Sequence, residues 1–274
     1  MNVKKQKQIE LGTQIAQFVL NLIFVFWAFR WLQKEKDSYE AKIVLWGFVA
    51  QLIPQIFVFL LKLKAKRDKI KLLNNHEGKK IDNQLLDEEL PDTPRVAVLG
   101  IGNVGKTTLI NSLLQKEHRD ETTYGKASYI LKLKDGKHVA LLDGTGQSHS
   151  TQNDNAINSS ILLIILDHNE SKSQPKLSSE RLERHKEFLI VLKDRLQSRN
   201  HTPEWIHFLF NKKDLWDRPS RKEKDEIKAF FDQQIKNFQD IYPMMKLTHD
   251  FHSNNQTNDC SKLISKISQH LEWL

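Results

Sequence analysis

Eight consecutive residues have the types and the spacing that hold a phosphate group. They read Gly100-Ile101-Gly102-Asn103-Val104-Gly105-Lys106-Thr107 and match G-x-x-x-x-G-K-[ST]. Glycines let the backbone wrap so that several N–H groups converge on an anion at the positive end of the next helix. Lys106 would neutralise the outer phosphates, and the Thr107 hydroxyl would bind Mg²⁺. The motif predicts a bound nucleotide, contacted by Gly100, Asn103, Val104, Gly105, Lys106, Thr107 and Thr108.

A second motif follows the apolar run 139–142. Asp143-Gly144-Thr145-Gly146 reads D-x-x-G, and Gln147 comes directly after it. Asp143 would support Mg²⁺ through a bound water, and the Gly146 N–H could donate to a γ-phosphate. Gln147 would orient a water for attack on that phosphate. D-x-x-G is a weak signal alone, and it gains weight from its place after the phosphate loop.

The third motif bears on which nucleotide base is bound. Asn211-Lys212-Lys213-Asp214 reads N-K-x-D after the apolar run 205–210, and with it the sequence resembles the Ras-like GTPase superfamily over about residues 94–274. The resemblance implies that Asp214 accepts hydrogen bonds from guanine, that Lys212 lies along the base and that Asn211 braces the loop. Adenine offers neither donor, so ATP would leave Asp214 unpaired.

The remaining family motifs match less well. The switch threonine that binds Mg²⁺ is taken as Thr123, with Thr122 an almost equal alternative. The fifth motif is taken as Phe251-His252-Ser253, which makes Ser253 a nucleotide contact. Arg119 could stabilise the transition state within the same chain, although a solvated surface arginine is the simpler interpretation.

The elements that must position these residues are six strands with helices between them. In phosphate-loop proteins the loop lies between a buried strand and a helix. The apolar run 95–99 and the apolar stripe in 108–115 match that strand and that helix. The sequence predicts an α/β fold, a P-loop NTPase domain with a mostly parallel six-stranded sheet. The polar segment 148–158 is expected to be mobile. The predicted strands are 95–99, 127–133, 139–142, 160–166, 205–210 and 245–248.

Two uncharged runs of 19 residues, 11–29 and 43–61, precede this domain. Each is just long enough to cross a bilayer core of about 30 Å as a helix. Polar residues such as Asn21 and Gln55 make the runs imperfect, and they could meet across a helical hairpin. A cleaved signal peptide is disfavoured because Phe29-Arg30-Trp31-Leu32 offers no small residue at a cleavage site. A buried soluble hairpin would need a matching apolar surface to cover both helices, and the rest of the chain is already used in one compact domain.

The charge distribution also indicates a membrane as the partner. The chain carries a net charge of +8, but residues 1–80 hold 15 basic and 6 acidic side chains, so the remainder sums to −1. Basic residues on both outer flanks of the hairpin favour an anionic membrane surface over nucleic acid and place both chain ends in the cytoplasm. The predicted organisation is two transmembrane helices in 1–61 (about 11–32 and 43–61), a basic juxtamembrane helix and linker in 62–93, and a GTPase domain in 94–274.

Three functions fit these motifs. The first is a multi-pass, membrane-anchored switch that hydrolyses GTP to GDP with Mg²⁺, slowly unless a protein partner acts as effector or activator. Catalysis would rest on Lys106 and Gln147. The second is a GTP-binding interaction module with negligible hydrolysis, since the chain is distantly similar to the signal recognition particle receptor beta subunit. The third, an ATPase, is disfavoured by Asn211 and Asp214. The single cysteine, Cys260, excludes an intramolecular disulfide.

Overall fold

The computed structural model describes residues 20–21, 23–27, 30, 39–116, 126–144, 148–170, 177–215 and 220–272, without the side chains of 39–46, 48, 49, 51, 126 and 272. The chain divides into two compact units, Met1–Leu72 and Leu73–Trp273. The second unit holds the sheet and all three motifs.

The first unit contains most of helix α1, Tyr39–Asn75, which continues through Pro54. The side-chain amide of Asn21 donates to Gln55 Oε1 at 3.1 Å. That bond confirms the expectation that polar groups of the two apolar runs meet. Apolar side chains of the unit remain exposed, among them Phe24, Trp27 and Phe57.

The predicted transmembrane hairpin is not supported by the part of the chain that the structure describes. Within those residues, no helix is long and apolar enough to cross a membrane. Most of the first predicted span, about 11–32, lies outside the described residues, as do several side chains of the second, 43–61.

The second unit is built on a seven-stranded sheet in the order β1-β3-β4-β2-β5-β6-β7. Strands β4, β2, β5, β6 and β7 are mutually parallel, whereas β3 is antiparallel to β4 and to β1. The strands are β1 Lys80–Ile81, β2 Arg95–Leu99, β3 Lys126–Lys132, β4 His138–Gly144, β5 Ile161–Leu166, β6 Trp205–Phe210 and β7 Lys246–Phe251. The helices are α2 Asn83–Glu88, α3 Lys106–Leu113, α4 His149–Ile157, α5 Ser179–Ser198, α6 Arg221–Gln239 and α7 Thr257–Glu272.

The predicted count of six strands was wrong by one. The additional strand is β1, whose Lys80 and Ile81 pair with Tyr129 and Ser128 at the outer edge of β3. Two residues are too few to show an alternating pattern, so this strand could not be recognised from the sequence. The mostly parallel α/β architecture is confirmed.

The sheet core follows from the apolar runs. Every residue of β5 and β6 is buried, as expected for parallel strands covered by helices on both faces. Helix α6 begins with a capping box, in which Ser220 and Glu223 each bond the other's backbone N–H. Helix α5 is capped by Ser178, the residue before its first turn, whose hydroxyl accepts from Arg181 N.

The prediction of a mobile segment at 148–158 was wrong. Ser148 caps a helix there, and four residues of α4 are buried, namely Gln152, Asn153, Asn155 and Ala156. The buried face is polar rather than apolar, so hydrophobic periodicity gave no sign of it. Gln152 is held there because its Oε1 accepts from Gly100 N at 2.8 Å.

Candidate functional site

The phosphate-loop sequence forms a tight turn between β2 and α3. Gly100 has φ +146°, and a Cβ there would lie 2.6 Å from the Ile165 carbonyl oxygen. Gly105, which caps α3, has φ +93°, and a Cβ there would lie 2.6 Å from Asn254 Nδ2. Asn103 also has positive φ, at 63°. The loop thus needs glycine at 100 and 105 both for its backbone and for space.

Lys106 lies inside this loop. Its Nζ donates to the carbonyl oxygens of Gly100 and Ile101, at 2.7 and 3.0 Å. Burial lowers the pKa of Lys106 to about 8, against the opposing effect of the nearby Asp143 carboxylate. The amine therefore stays charged at neutral pH and is held where the loop's N–H groups would meet an anion.

The two described residues predicted to bind the metal are brought together. Thr107 Oγ1 in the first turn of α3 lies 3.4 Å from Asp143 Oδ2 in β4. A hydroxyl and a carboxylate are the hard oxygen donors that Mg²⁺ prefers. The donor set therefore fits Mg²⁺.

The third motif, Asn211-Lys212-Lys213-Asp214, contacts the phosphate loop directly. Asn211 Nδ2 donates to the Val104 carbonyl oxygen at 2.8 Å, and Lys212 takes a left-handed backbone with φ +64°. Asp214 lies in the short 3₁₀ turn Lys213–Leu215, where Ser253 Oγ donates to its Oδ1 at 2.9 Å. The structure thus places the third motif beside the first and Ser253 beside the third.

Among the described residues, three further polar ones contact these motifs and were not singled out from the sequence. Asn254 Nδ2 donates to the Gly105 carbonyl oxygen at 2.8 Å, and Gln152 Oε1 accepts from Gly100 N at 2.8 Å. Asp167 pairs with Lys212 Nζ at 2.7 Å. Asn254 directly follows the predicted fifth motif, which was the one available signal.

Some predicted site residues lie outside the described part of the chain. These are Gly146, Gln147, both candidate switch threonines, Thr122 and Thr123, and Arg119. Their contribution to the site remains a prediction.

Residues 95–195 match the family model described as a 50S ribosome-binding GTPase. None of the curated proteins matches the sequence at a significant level.

Among solved structures, the chain is similar to the Arl6 (BBS3) small GTPase from Trypanosoma brucei with a bound nucleotide analogue. That match has 16% identity and a TM-score of 0.47, and it covers 65% of this chain and 98% of the other. The chain is also similar to a chain of the signal recognition particle receptor SRb-GTP/SRX complex from Chaetomium thermophilum. There the identity is 15% and the TM-score 0.48, with 65% and 98% covered.

Proposed function

We propose that this chain, whose residues 95–195 match a GTPase family model, binds GTP and GDP with Mg²⁺ and hydrolyses GTP as a molecular switch. The observation that carries this proposal is the bond from Asn211 Nδ2 to the Val104 carbonyl oxygen. It fixes the base-selecting loop against the phosphate loop, so one nucleotide can reach both. The carbonyl–amide bond also explains why an asparagine stands at the start of the motif.

The proposed roles follow from the geometry. Lys106 would neutralise the β- and γ-phosphates, and Thr107 with Asp143 would hold Mg²⁺, which supplies charge neutralisation when bound. Asp214 would read guanine while Ser253 orients its carboxylate. Gln147 would place the attacking water, and Thr123 would complete the metal site. Catalysis would consist of positioning and charge neutralisation, so turnover would be slow without a protein activator.

The same proposal places the protein at a membrane, with the amino terminus and the GTPase domain in the cytoplasm. It is supported by the two apolar runs, by the Asn21–Gln55 bond between them and by the basic stretch 62–71, whose side chains are mostly exposed. Anionic lipids would attract that stretch. A protein effector at the membrane would read the nucleotide state.

A nucleotide titration tests the core of the proposal. GTP, GDP and ATP are titrated onto the full-length protein in Mg²⁺, with Asp214→Asn as the matched control. We expect GTP and GDP to bind and ATP to bind at least about 100-fold more weakly, because Asp214 would be left without its donors. Equal binding of ATP and GTP, in wild type and variant alike, would overturn guanine selectivity.

A turnover measurement then separates a switch from an interaction module. Phosphate release from GTP is compared between wild type and Gln147→Ala, with and without anionic vesicles. We expect release that falls by about 100-fold in the variant, the usual effect of losing a positioned catalytic group. GTP that stays intact in both proteins, although tightly bound, would instead identify a binding module.

A further inference from the structure

A buried carboxylate behind the base-selecting loop gathers three basic side chains. Asp167 directly follows β5 and is fully buried. Arg181 Nε and Nη2 donate to its two oxygens at 2.7 and 3.2 Å, and Lys212 Nζ lies 2.7 Å from Oδ2. His185 Nε2 lies 2.9 Å from Oδ1. We call these four residues the Asp167 cluster.

The cluster is held rigidly on the side away from Lys212. Arg181 and His185 are themselves fully buried, and both lie on α5. The α5 cap is bound to the same segment as Asp167, since Ser178 N donates to the His168 carbonyl oxygen at 2.9 Å. A two-point guanidinium–carboxylate pair fixes orientation as well as distance. The carboxylate that faces Lys212 is therefore preset by α5.

The pKa values within the cluster indicate the charge that faces Lys212. Burial alone would raise the pKa of Asp167, but hydrogen bonds from His185 and Arg181 hold it well below its usual range. Burial also lowers the pKa of His185, which keeps that ring neutral at physiological pH. Asp167 therefore presents a full negative charge to the Lys212 amine.

Lys212 is the member that links the cluster to the nucleotide site. It belongs to the base-selecting motif, and its amine also donates to the backbone carbonyl oxygen of Asn169. Its φ of +64° is unfavourable for a lysine, so surrounding contacts must hold it there. With its amine bonded to Asp167 and Asn169, the alkyl stem of Lys212 is held between these partners and the backbone of the motif.

We propose that Asp167, oriented by Arg181, is a positioning residue that fixes the Lys212 side chain along the base and thereby slows dissociation of a bound guanine nucleotide. The inference rests on the proposed function, because it requires that Lys212 contacts the base. In this proposal, Asp167 would act without contacting the nucleotide. Its whole effect is transmitted through the Lys212 amine.

The test is a double-mutant cycle on nucleotide dissociation. The rate of release of a fluorescent GDP analogue is measured from full-length wild type, Asp167→Asn, Lys212→Ala and the double variant. We expect Asp167→Asn to accelerate release about 10-fold, since a neutral amide loses the charged pairing with Lys212. We expect the double variant to release no faster than Lys212→Ala alone, because the effect has no other route.

A second paired carboxylate, which is more exposed than Asp167, provides a control that separates positioning from general loss of stability. Asp250 also pairs with a lysine and a histidine, Lys266 and His207, but in β7. Asp250→Asn should lower the unfolding temperature without accelerating release of the analogue. If Asp250→Asn accelerates release as much as Asp167→Asn, the effect is one of stability, and the inference fails.

The remaining outcomes are equally decisive. Unchanged release in Asp167→Asn, or effects of Asp167→Asn and Lys212→Ala that multiply in the double variant, would overturn the inference. If Asp167→Asn does not fold, Arg181→Lys is used instead. Arg181→Lys should accelerate release when it is the single change, but not when it is added to Lys212→Ala. Failure of wild type to bind GDP would refute the proposed function and not this inference alone.

Discussion

The hydroxyl of Ser253 donates a hydrogen bond to Asp214 Oδ1 at 2.9 Å, joining two motifs that lie 39 residues apart. Ser253 is itself fixed from the other side, because its N–H donates to Asp259 Oδ2 at 3.0 Å in the first turn of α7. The Asp214 carboxylate therefore has a set orientation before any ligand arrives. Preset orientation removes an ordering penalty from binding.

Removing that hydroxyl should weaken guanine binding. For Ser253→Ala we expect GDP affinity to fall roughly 5- to 10-fold, the equivalent of about 1 kcal/mol, which is the net contribution of a typical hydrogen bond. Isothermal titration of GDP measures it. The control is Ser265→Ala, which removes a hydroxyl bonded only to the Ser261 carbonyl oxygen within α7 among its described contacts. Equal affinities in wild type and Ser253→Ala would contradict the prediction.

The space at Gly105 should be as important as its backbone angle. Gly105→Ala places a Cβ at 2.6 and 2.8 Å from the Nδ2 atoms of Asn254 and Asn211, in a backbone with φ +93°. We expect loss of measurable GDP binding and destabilisation by about 3 kcal/mol. Chemical denaturation and titration check both.

Gly136→Ala provides the matched control for Gly105→Ala. Gly136 also has positive φ, at +80°, but a Cβ there meets nothing within 4 Å. Gly136→Ala should therefore lower the free energy of unfolding by about 1 kcal/mol, the strain of the left-handed backbone alone, and leave GDP affinity intact. Similar effects of the two substitutions would show that crowding at Gly105 is unimportant.

Nucleotide affinity should fall in mildly alkaline solution. The pKa of Lys106 is lowered to about 8 by burial, and bound phosphates favour its charged form. Binding should weaken as the pH rises from about 7 to about 8.5, with proton uptake on binding near pH 8. Calorimetry in two buffers of different ionisation heat measures that uptake. Lys106→Arg, which keeps its charge in this range, should bind with no such pH dependence.

Without nucleotide, the stability of the folded protein should change with pH in the opposite direction to nucleotide affinity. Because the folded pKa of Lys106 is below its model-peptide value of 10.5, the unfolded chain binds more protons between about pH 8 and pH 10.5. The contribution of Lys106 to the free energy of unfolding should therefore rise with pH across that window. Comparing urea denaturation of wild type and Lys106→Met at several pH values isolates it.

Acid should destabilise the domain through buried histidines. The pKa of His270 is lowered to about 4, first by burial and then by Lys246, and its ring packs on Trp205 at 4.9 Å between centroids. Since the folded pKa is below the unfolded one, stability is lost as the pH falls from about 6.5 towards 4. His270→Phe should make that loss shallower in urea denaturation. The control, Ile267→Val on the same helix, should cost about 1 kcal/mol at every pH.

Much of the chemistry could be read from the sequence because it depends on local spacing. Strands β2 and β6 have the predicted bounds, and the phosphate loop, Asn211 and Asp214 are brought together. The two residues of β1 were missed because edge strands of that length carry no pattern. Asp167, Gln152 and Asn254 were missed because each acts through a contact with a residue far away in the chain. Such polar partners are specified by tertiary packing, which a single sequence does not display.

The position of β1 has a consequence for how another chain could dock. An open strand edge is a template for strand addition, and β1 occupies the middle of that template on β3, at Ser128 and Tyr129. Among the described strands, the longer open margin is that of β7, on the opposite side. A protein that extends the sheet on the β3 side would therefore have to displace β1, whereas one that adds a strand to β7 would leave β1 in place.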